Sequence, residues 1–254
     1  MNIWFETLIS NQKSGSAEEP LTLLCFPYTG SGVAMFAHWK KHLIRGVNLR
    51  AAKLPGREAR LKETPREDIK STAEEIADAI MASEISSNRL ILAGFSLGGW
   101  IAFEVARSLR RRGKDIELLV VGASRAPHGR WMRGRISNLS ERRFLKKLNG
   151  RFQAIPPMIM NNPEARALLV PMLRGDTKMF ESYKYVAEEP LECEIITMGG
   201  SEDRAVKRKH IYPWRELTKC FRYRTIEGGN HYFAKDHVPE VVKTVNQRLS
   251  RLIR

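Results

Sequence analysis

Short, continuous runs of apolar residues recur along this chain and alternate with segments in which apolar residues stand three or four positions apart. The runs have the length of strands buried on both faces, and the segments have the period of amphipathic helices. The predicted buried strands are residues 21–26, 49–54, 90–93, 116–122, 193–198 and 221–226. Strands that alternate with helices in this way predict an α/β protein with a mostly parallel sheet and helices on both faces.

The helical pattern is clearest in residues 101–109, where apolar side chains share one face before Gly113 ends the helix. Further helices are predicted at residues 36–43, 66–82 and 241–252. Residues 1–20 are largely polar, with Gly15 and Pro20 flanking a piece rich in Ser and Glu. Such a composition predicts a weakly ordered lead-in to the first buried strand.

Residues 129–189 interrupt the alternation of strands and helices. Three short helical pieces are predicted there, around residues 144–148, 163–173 and 180–185. Four methionines would give this insertion an adaptable apolar lining, and they are Met158, Met160, Met172 and Met179. We therefore predict one domain over residues 1–254, in which residues 129–189 form a helical lid over the candidate nucleophile described next. A set of ordinary packing helices is the alternative.

The sequence Gly94-Phe95-Ser96-Leu97-Gly98 stands between a predicted buried strand and a predicted amphipathic helix. A serine on a sharp strand-to-helix turn has a strained backbone, and flanking glycines remove the Cβ atoms that would clash in that bend. The first helical turn leaves N–H groups without partners, so the Leu97 N–H is available to a developing oxyanion. The pattern predicts a nucleophile elbow at Ser96; the alternative is an ordinary turn with an incidental serine.

Serine hydrolases with this elbow place an acid and then a histidine later in the chain, each after a further strand. Asp203 follows the strand predicted at 193–198, and His231 follows the strand predicted at 221–226. We therefore predict that His231 takes the Ser96 proton and that Asp203 orients the imidazole. The competing bases and acids are His128, His210, His237, Glu202 and Asp176.

A glycine-rich turn, residues 27–32, follows the first buried strand. It lacks the spacing and the lysine of a Walker phosphate cradle. In a serine hydrolase a loop at this place supplies the second oxyanion donor, so we predict the Thr29 N–H for that role and the Tyr28 N–H as the alternative. His38 and His42 are four residues apart on a predicted helix, but no third ligand is suggested, and we predict no metal site.

Composition narrows the class of protein. Hydrophobic residues make up 43% of the 254 residues, which argues against disorder. No run approaches the roughly 18 apolar residues of a membrane helix, and the first residues lack the pattern of a signal peptide. The three cysteines, Cys25, Cys193 and Cys220, have no metal-type spacing. They predict free thiols in a reducing compartment, and we expect a cytoplasmic protein with no membrane partner.

The charge is strongly positive, with 43 Lys and Arg residues against 28 Asp and Glu residues and a net charge of +15. Nucleic acid is one class of partner for such a chain, but no basic motif interleaved with aromatic residues is present, and we predict no nucleic-acid binding. An acidic macromolecule attracted by electrostatic steering is a second class. A dispersed surface charge that only aids solubility is the remaining interpretation.

Six motifs follow one another in a fixed order. They are residues 26–32, 54–58, 94–98, 125–128, 199–203 and 229–233. This series, which covers roughly residues 21–235, resembles type II thioesterases, the stand-alone editing enzymes of nonribosomal peptide and polyketide synthases. The resemblance implies an α/β-hydrolase fold with a helical lid and no cofactor of its own. It also implies a monomeric enzyme that removes misprimed or stalled acyl and aminoacyl groups from the phosphopantetheine arm of carrier domains.

The chain departs from the family pattern beside the candidate nucleophile. The family usually has His before the serine and often Met after it, whereas this chain has Phe95 and Leu97. Because a backbone N–H is unaffected by a change of side chain, the departure bears on acyl preference more than on mechanism. The side chains expected to line the substrate pocket are Tyr28, Phe95, Met158 and Met179.

Three other functions are compatible with parts of the pattern. A small-molecule esterase would use the same three residues on a soluble ester. An acyltransferase would pass the acyl group to an alcohol or an amine, and the sequence does not distinguish it from a hydrolase. A non-catalytic binding protein would use the basic surface, but it has no need of a serine, an acid and a histidine in this order.

Overall fold

The computed structural model describes residues 3–11, 19–129, 134–152, 155 and 160–253. These residues contain a seven-stranded sheet with the strand order β1-β3-β2-β4-β5-β6-β7. The strands are β1 (Phe5–Ile9), β2 (Leu21–Phe26), β3 (Val47–Ala52), β4 (Arg89–Phe95), β5 (Leu118–Gly122), β6 (Leu191–Gly200) and β7 (Thr218–Ile226). Only the β1–β3 pair at one edge is antiparallel in the described sheet, so the predicted mostly parallel sheet is confirmed.

Helices follow or precede most of the strands. The α-helices are α1 (Ile69–Met81), α2 (Leu97–Arg111), α3 (Glu141–Phe152), α4 (Pro163–Ser182), α5 (Arg208–Ile211), α6 (Phe233–Asp236) and α7 (Val238–Leu252). Short 3-10 helices cover Val33–Lys41, Glu58–Arg60, Glu84–Ser87 and Tyr212–Leu217. Within the described ranges no helix is both long enough and apolar enough to cross a lipid bilayer.

The sheet is covered on both faces because its strands carry apolar side chains on both. Along β4, Leu90 and Leu92 pack in the cluster formed with α1 and α2, whereas Ile91 and Ala93 pack in the cluster formed with Val33–Lys41 and α7. Successive side chains of a strand point to opposite faces, so a continuous apolar run requires a cover on each side. The helices predicted on both faces are therefore confirmed.

The amino-terminal prediction was wrong for residues 5–9. These residues form β1, which pairs antiparallel with β3 at the edge of the sheet. Trp4 and Phe5 are buried, and the guanidinium carbon of Arg60 lies 4.4 Å from the centre of the Trp4 ring. The five residues of β1 are too few for a periodic signal. Their order comes from pairing with β3 and from the burial of two aromatic rings.

The insertion differs from its predicted outline after residue 162. Helix α3 is present, and its predicted face of Phe144, Leu145 and Leu148 is buried. The pieces predicted around 163–173 and 180–185 are not separate helices. Residues 163–182 form a single 20-residue helix, α4, which continues through Pro171 and ends before Tyr183 and Tyr185. Buried residues on both sides of the proline anchor this helix, and packing outweighs the lost N–H of one interior residue.

Candidate active site

Ser96 occupies the sharp turn between the end of β4 and the start of α2. Its backbone has φ 52° and ψ −113°, a conformation that a residue with a Cβ rarely adopts. The Ser96 N–H donates to the Gly122 carbonyl at 2.9 Å, and the Ser124 hydroxyl donates to the Ser96 carbonyl at 2.9 Å. Strain of about 1–3 kcal/mol persists at such a residue only when its surroundings hold it, and such residues cluster at functional sites.

The flanking glycines allow this turn to form. A Cβ at Gly94 would overlap the carbonyl oxygen of Gly98, and a Cβ at Gly98 would overlap the carbonyl oxygen of Phe26. Both obstacles are backbone atoms, which cannot move aside as a flexible side chain would. The close approach of α2 to β2 and β4 therefore requires glycine at both positions.

Replacing Gly98 by alanine is expected to destabilise the fold by about 3 kcal/mol or more, because the backbone must shift to admit the methyl group. The matched control is Gly150→Ala in α3, where a Cβ would meet nothing within 4 Å. That change should be neutral or stabilise by about 0.5–1 kcal/mol. Urea unfolding of both variants measures the difference, and equal unfolding free energies for the two variants would contradict the steric argument.

The three side chains predicted to act together form a continuous chain of hydrogen bonds. His231 Nδ1 lies 2.8 Å from Asp203 Oδ2, and His231 Nε2 lies 3.2 Å from Ser96 Oγ. Asp203 is fully buried, and only 6% of Ser96 and of His231 is exposed. Each residue follows the carboxyl end of a different strand, β4, β6 or β7, and parallel strands bring these ends to one edge of the sheet.

The environment of Asp203 favours its ionised form. Burial raises the pKa of the Asp203 carboxyl, but hydrogen bonds from His231 and from two backbone N–H groups outweigh it and hold the pKa below its usual value. The N–H groups are those of Ala205 and Val206, which donate to Oδ1 at 2.8 and 2.9 Å. An ionised Asp203 accepts the Nδ1–H of His231, which leaves Nε2 free to accept the Ser96 proton.

The competing candidates have their hydrogen bonds elsewhere. His128 Nε2 lies 3.2 Å from Glu216, and His210 Nδ1 accepts the Lys207 N–H at 3.1 Å. His237 lies at the start of α7, Glu202 is exposed, and Asp176 is bonded to Arg57. His38 and His42 are both exposed, and in the described ranges no three His, Cys, Asp or Glu side chains are grouped to hold a metal ion.

The two predicted oxyanion donors belong to residues near Ser96. Leu97 is the first residue of α2, and Thr29 lines the same small cavity as Ser96. Among the hydrogen bonds of the described residues, none is donated by the backbone N–H of Leu97 or of Thr29. An N–H group without a partner near a serine hydroxyl is suited to an oxygen that gains negative charge, and the role of these two groups stays a prediction.

Helices α3 and α4 of the insertion, together with the ends of the sheet strands, line a partly open cavity of about 70 Å³ beside Ser96. Its wall is mostly apolar and is formed by Ser96, Thr29, Trp100, Ala123, Ser124, Arg125, Ile136, Leu148, Arg151, Phe152, Thr177, Phe180 and Val206. Sequence reasoning missed Trp100, although its place one helical turn after Ser96 on α2 could have indicated it. The other aromatic residues, Phe152 and Phe180, carry no comparable local signal because the insertion brings them to Ser96 from elsewhere in the chain.

The structure brings one of the predicted pocket residues to the site. Tyr28 lines a smaller space beside Ser96, and its ring centre lies 5.7 Å from that of His231. Phe95 is fully buried on the α7 face of the sheet, 5.7 Å from Trp39 between ring centres, and is not part of the cavity wall. Met158 lies outside the described residues.

Met179 is also placed away from the cavity, in the cluster packed with α1 and α2. On α4 the cavity is lined instead by Thr177 and Phe180. Residues three apart on a helix share a face, whereas the two residues between them, which include Met179, point to other sides. Strand alternation has the same effect at Phe95, because the last residue of β4 and the turn residue Ser96 after it point to opposite sides of the sheet.

A parallel sheet covered by helices on both faces, with a Ser–His–Asp chain at its carboxyl edge and an elbow serine, defines an α/β hydrolase. The family model described as "Thioesterase domain" matches residues 21–249. The chain therefore belongs to the thioesterase domain family and is a thioester hydrolase.

Known proteins of similar sequence and structure agree with this assignment. The gramicidin S biosynthesis protein GrsT of Aneurinibacillus migulanus is 29% identical over 98% of this chain and 94% of GrsT. Thioesterase TesA of Mycobacterium marinum is 30% identical over 93% of this chain and 94% of TesA. The structure of RedJ, a thioesterase from the prodiginine biosynthetic pathway in Streptomyces coelicolor, matches with a TM-score of 0.82, 29% identity and 94% coverage of both chains.

Proposed function

We propose that this protein is an editing thioesterase that hydrolyses acyl or aminoacyl thioesters on the phosphopantetheine arm of carrier domains, and so releases misprimed or stalled groups from a synthase. The observation that carries the proposal is the hydrogen-bonded chain Asp203–His231–Ser96 beside a cavity lined in part by the insertion. The named pathways of GrsT and RedJ support the synthase context.

The first half of the proposed reaction transfers the acyl group to the enzyme. Ser96 Oγ attacks the thioester carbonyl carbon while His231 Nε2 takes the hydroxyl proton. The carbonyl oxygen becomes an oxyanion, which accepts hydrogen bonds from the N–H groups of Leu97 and Thr29. The carbon–sulfur bond then breaks, and the departing thiolate of the arm takes the proton from His231. Asp203 stabilises the imidazolium that exists between these two proton transfers.

The second half returns the enzyme to its starting state. His231 removes a proton from a water molecule, which attacks the acyl-serine carbonyl through the same oxyanion arrangement. The carbon–oxygen bond to Ser96 breaks, the serine recovers its proton from His231, and a free acid leaves. The phosphopantetheine arm belongs to the carrier, and the proposal adds no cofactor held by this chain.

The size of the cavity bears on which acyl groups fit. Its volume of about 70 Å³ is several times the roughly 10–15 Å³ that one water molecule needs. A group of a few heavy atoms, such as acetyl, fits in this space without movement of α3 or α4. We therefore propose that small misprimed groups such as acetyl are among the substrates.

The test compares an acetyl-loaded carrier protein with a soluble acetyl ester as substrates of the same enzyme. We expect kcat/KM for the carrier to exceed that for the ester by at least about tenfold. The net charge of +15 should attract the acidic surface that carrier domains generally have, so kcat/KM for the carrier should fall as salt is raised. The rate on an uncharged ester is the control and should not respond to salt.

A preference for the ester would instead identify a small-molecule esterase, with the same residues serving a different substrate. A carrier rate that does not change with salt would remove electrostatic steering from the proposal and leave the thioesterase activity in place.

A further inference from the structure

The motif at residues 54–58 lies apart from the Ser96, His231 and Asp203 chain, yet its arginine reaches the loop that carries Thr29. The Arg57 guanidinium donates to both carboxylate oxygens of Asp176, at 2.6 and 3.0 Å, and to the Ser31 carbonyl at 3.0 Å. Arg57 is only 5% exposed and Asp176 is fully buried. Two parallel N–H bonds to one carboxylate fix the orientation of both groups.

Asp176 completes the link from the insertion to this loop. It lies on α4, and its Oδ2 accepts the Gly30 N–H at 2.8 Å. Glu58 holds the far end of the same loop by accepting the N–H groups of Val33 and Ala34 at 2.8 and 3.0 Å. The residues just after Thr29 are thus held by three charged side chains from two distant segments.

The conformation at Gly30 depends on this attachment. Gly30 has φ +73°, and a Cβ there would lie 2.8 Å from Leu173 of α4, so the loop and the helix are in close contact. Each residue has only two freely rotating backbone angles, φ and ψ. Holding the Gly30 N–H and the Ser31 carbonyl fixes the peptide between Thr29 and Gly30, and the Thr29 N–H is joined to that peptide through the φ and ψ of Thr29. That restraint acts on the direction of the Thr29 N–H.

Stability alone is a weak reason for a buried ion pair. Taking both charges out of water costs several kcal/mol per ion, and well-packed apolar residues often serve the fold equally well. The ion pair instead fixes the orientation of the loop, because the Asp176 carboxylate accepts from the Arg57 guanidinium and from a loop N–H at the same time. The next residue of α4, Thr177, lines the cavity beside Ser96, so one helix bounds the acyl site and holds the loop.

We propose that Arg57 and Asp176 are positioning residues that hold the loop of residues 28–31 so that the Thr29 N–H points at the oxyanion. The inference rests on the proposed function, since it assumes a tetrahedral oxyanion at Ser96. The proposal gives the motif at residues 54–58 a role in catalysis through Arg57. Because Asp176 lies on α4, it also makes the oxyanion site dependent on the insertion.

The kinetic test uses Asp176→Asn and Arg57→Lys in the full-length protein, with an acetyl-loaded carrier as substrate. Loss of one oxyanion donor costs about 10²–10³ in kcat, and a misdirected donor should cost about 10–100-fold with KM within about threefold. Arg60→Lys is the matched control, because Arg60 is 6% exposed and bonds Glu63 and the Lys53 carbonyl, away from the loop. Its kcat should stay within about twofold.

A binding measurement separates positioning from general damage. The serine hydroxyl attacks the carbonyl of a trifluoromethyl ketone inhibitor, and the tetrahedral adduct carries an oxyanion. The matching inhibitor with a methyl thioether in place of the ketone has no carbonyl, so it binds without forming an oxyanion. We expect Asp176→Asn to weaken the first inhibitor by about 10–100-fold and to leave the second unchanged, because only the first requires the oxyanion donors. Arg57→Lys gives the same comparison if Asp176→Asn does not fold.

The proposal is overturned if folded variants retain kcat within twofold of the wild type, if both inhibitors weaken equally, or if Arg60→Lys loses as much activity. Its failure is distinguishable from failure of the proposed function. A wild type that cleaves a soluble ester but leaves the carrier loaded has a different substrate, and the positioning test then proceeds with that ester because the oxyanion is the same.

Discussion

Replacing Ser96 by alanine should leave acyl groups on the carrier, with kcat lowered by a factor of about 10⁴–10⁶. In the proposed reaction the Ser96 hydroxyl oxygen forms the acyl-enzyme. It lies 3.2 Å from His231 Nε2, and among the described hydrogen bonds no other side chain of the cavity wall contacts that nitrogen. The effect is measured by single-turnover hydrolysis of an acetyl- or aminoacyl-loaded carrier, monitored by mass spectrometry of the intact carrier protein. The wild type should release the acyl group before the first time point or within a few seconds.

The matched control is Ser182→Ala, which removes a hydroxyl from the last residue of α4 without touching the cavity. It should release the acyl group at the wild-type rate. A Ser96→Ala variant that keeps more than about 1% of the wild-type rate would exclude Ser96 as the nucleophile. If wild type and variant both leave the carrier loaded while wild type cleaves an ester, the carrier substrate is wrong, and the comparison of Ser96→Ala with wild type then uses that ester.

Asp203→Asn should lower kcat by about 10⁴ with little change in KM. The amide of asparagine donates a hydrogen bond where the carboxylate accepts one, so it favours the imidazole tautomer that carries its proton on Nε2. That tautomer faces Ser96 with a donor and cannot take the serine proton. Steady-state kinetics on the loaded carrier check the expected fall.

The neighbouring carboxylate gives the control for this change. Glu202 is exposed, and Glu202→Gln makes the same chemical substitution one residue away from Asp203. It should keep kcat within about twofold. Equal losses for the two variants would point to damage of the loop after β6, and an active Asp203→Asn enzyme would show that His231 is oriented by another group.

Much of the fold follows from local patterns in the chain. The six predicted strands are all present, because most of them contain a short apolar run that has no helical period and is buried in the sheet. Their ends shift by a few residues, since strand ends depend on pairing with a neighbour. β1 was missed for the same reason: its five residues are ordered by β3 and by the burial of Trp4.

The sequence by itself determined the elbow and the three residues that the structure joins by hydrogen bonds. Glycine spacing around Ser96 is a local steric requirement, and Asp203 and His231 each stand just after a strand whose apolar run is visible in the chain. Parallel strands bring such positions to one edge of the sheet whatever lies between them. Their proximity is therefore a consequence of the order of the elements.

Only the tertiary structure decided what surrounds those three residues. Which face a side chain enters depends on register and helix rotation, and this placed Phe95 and Met179 in the core while Trp100, Phe152 and Phe180 line the cavity. Arg57 and Asp176 are 119 residues apart, and neither one's local sequence indicates the other. Contacts of this kind depend on how the insertion docks, which is a property of packing across the whole molecule.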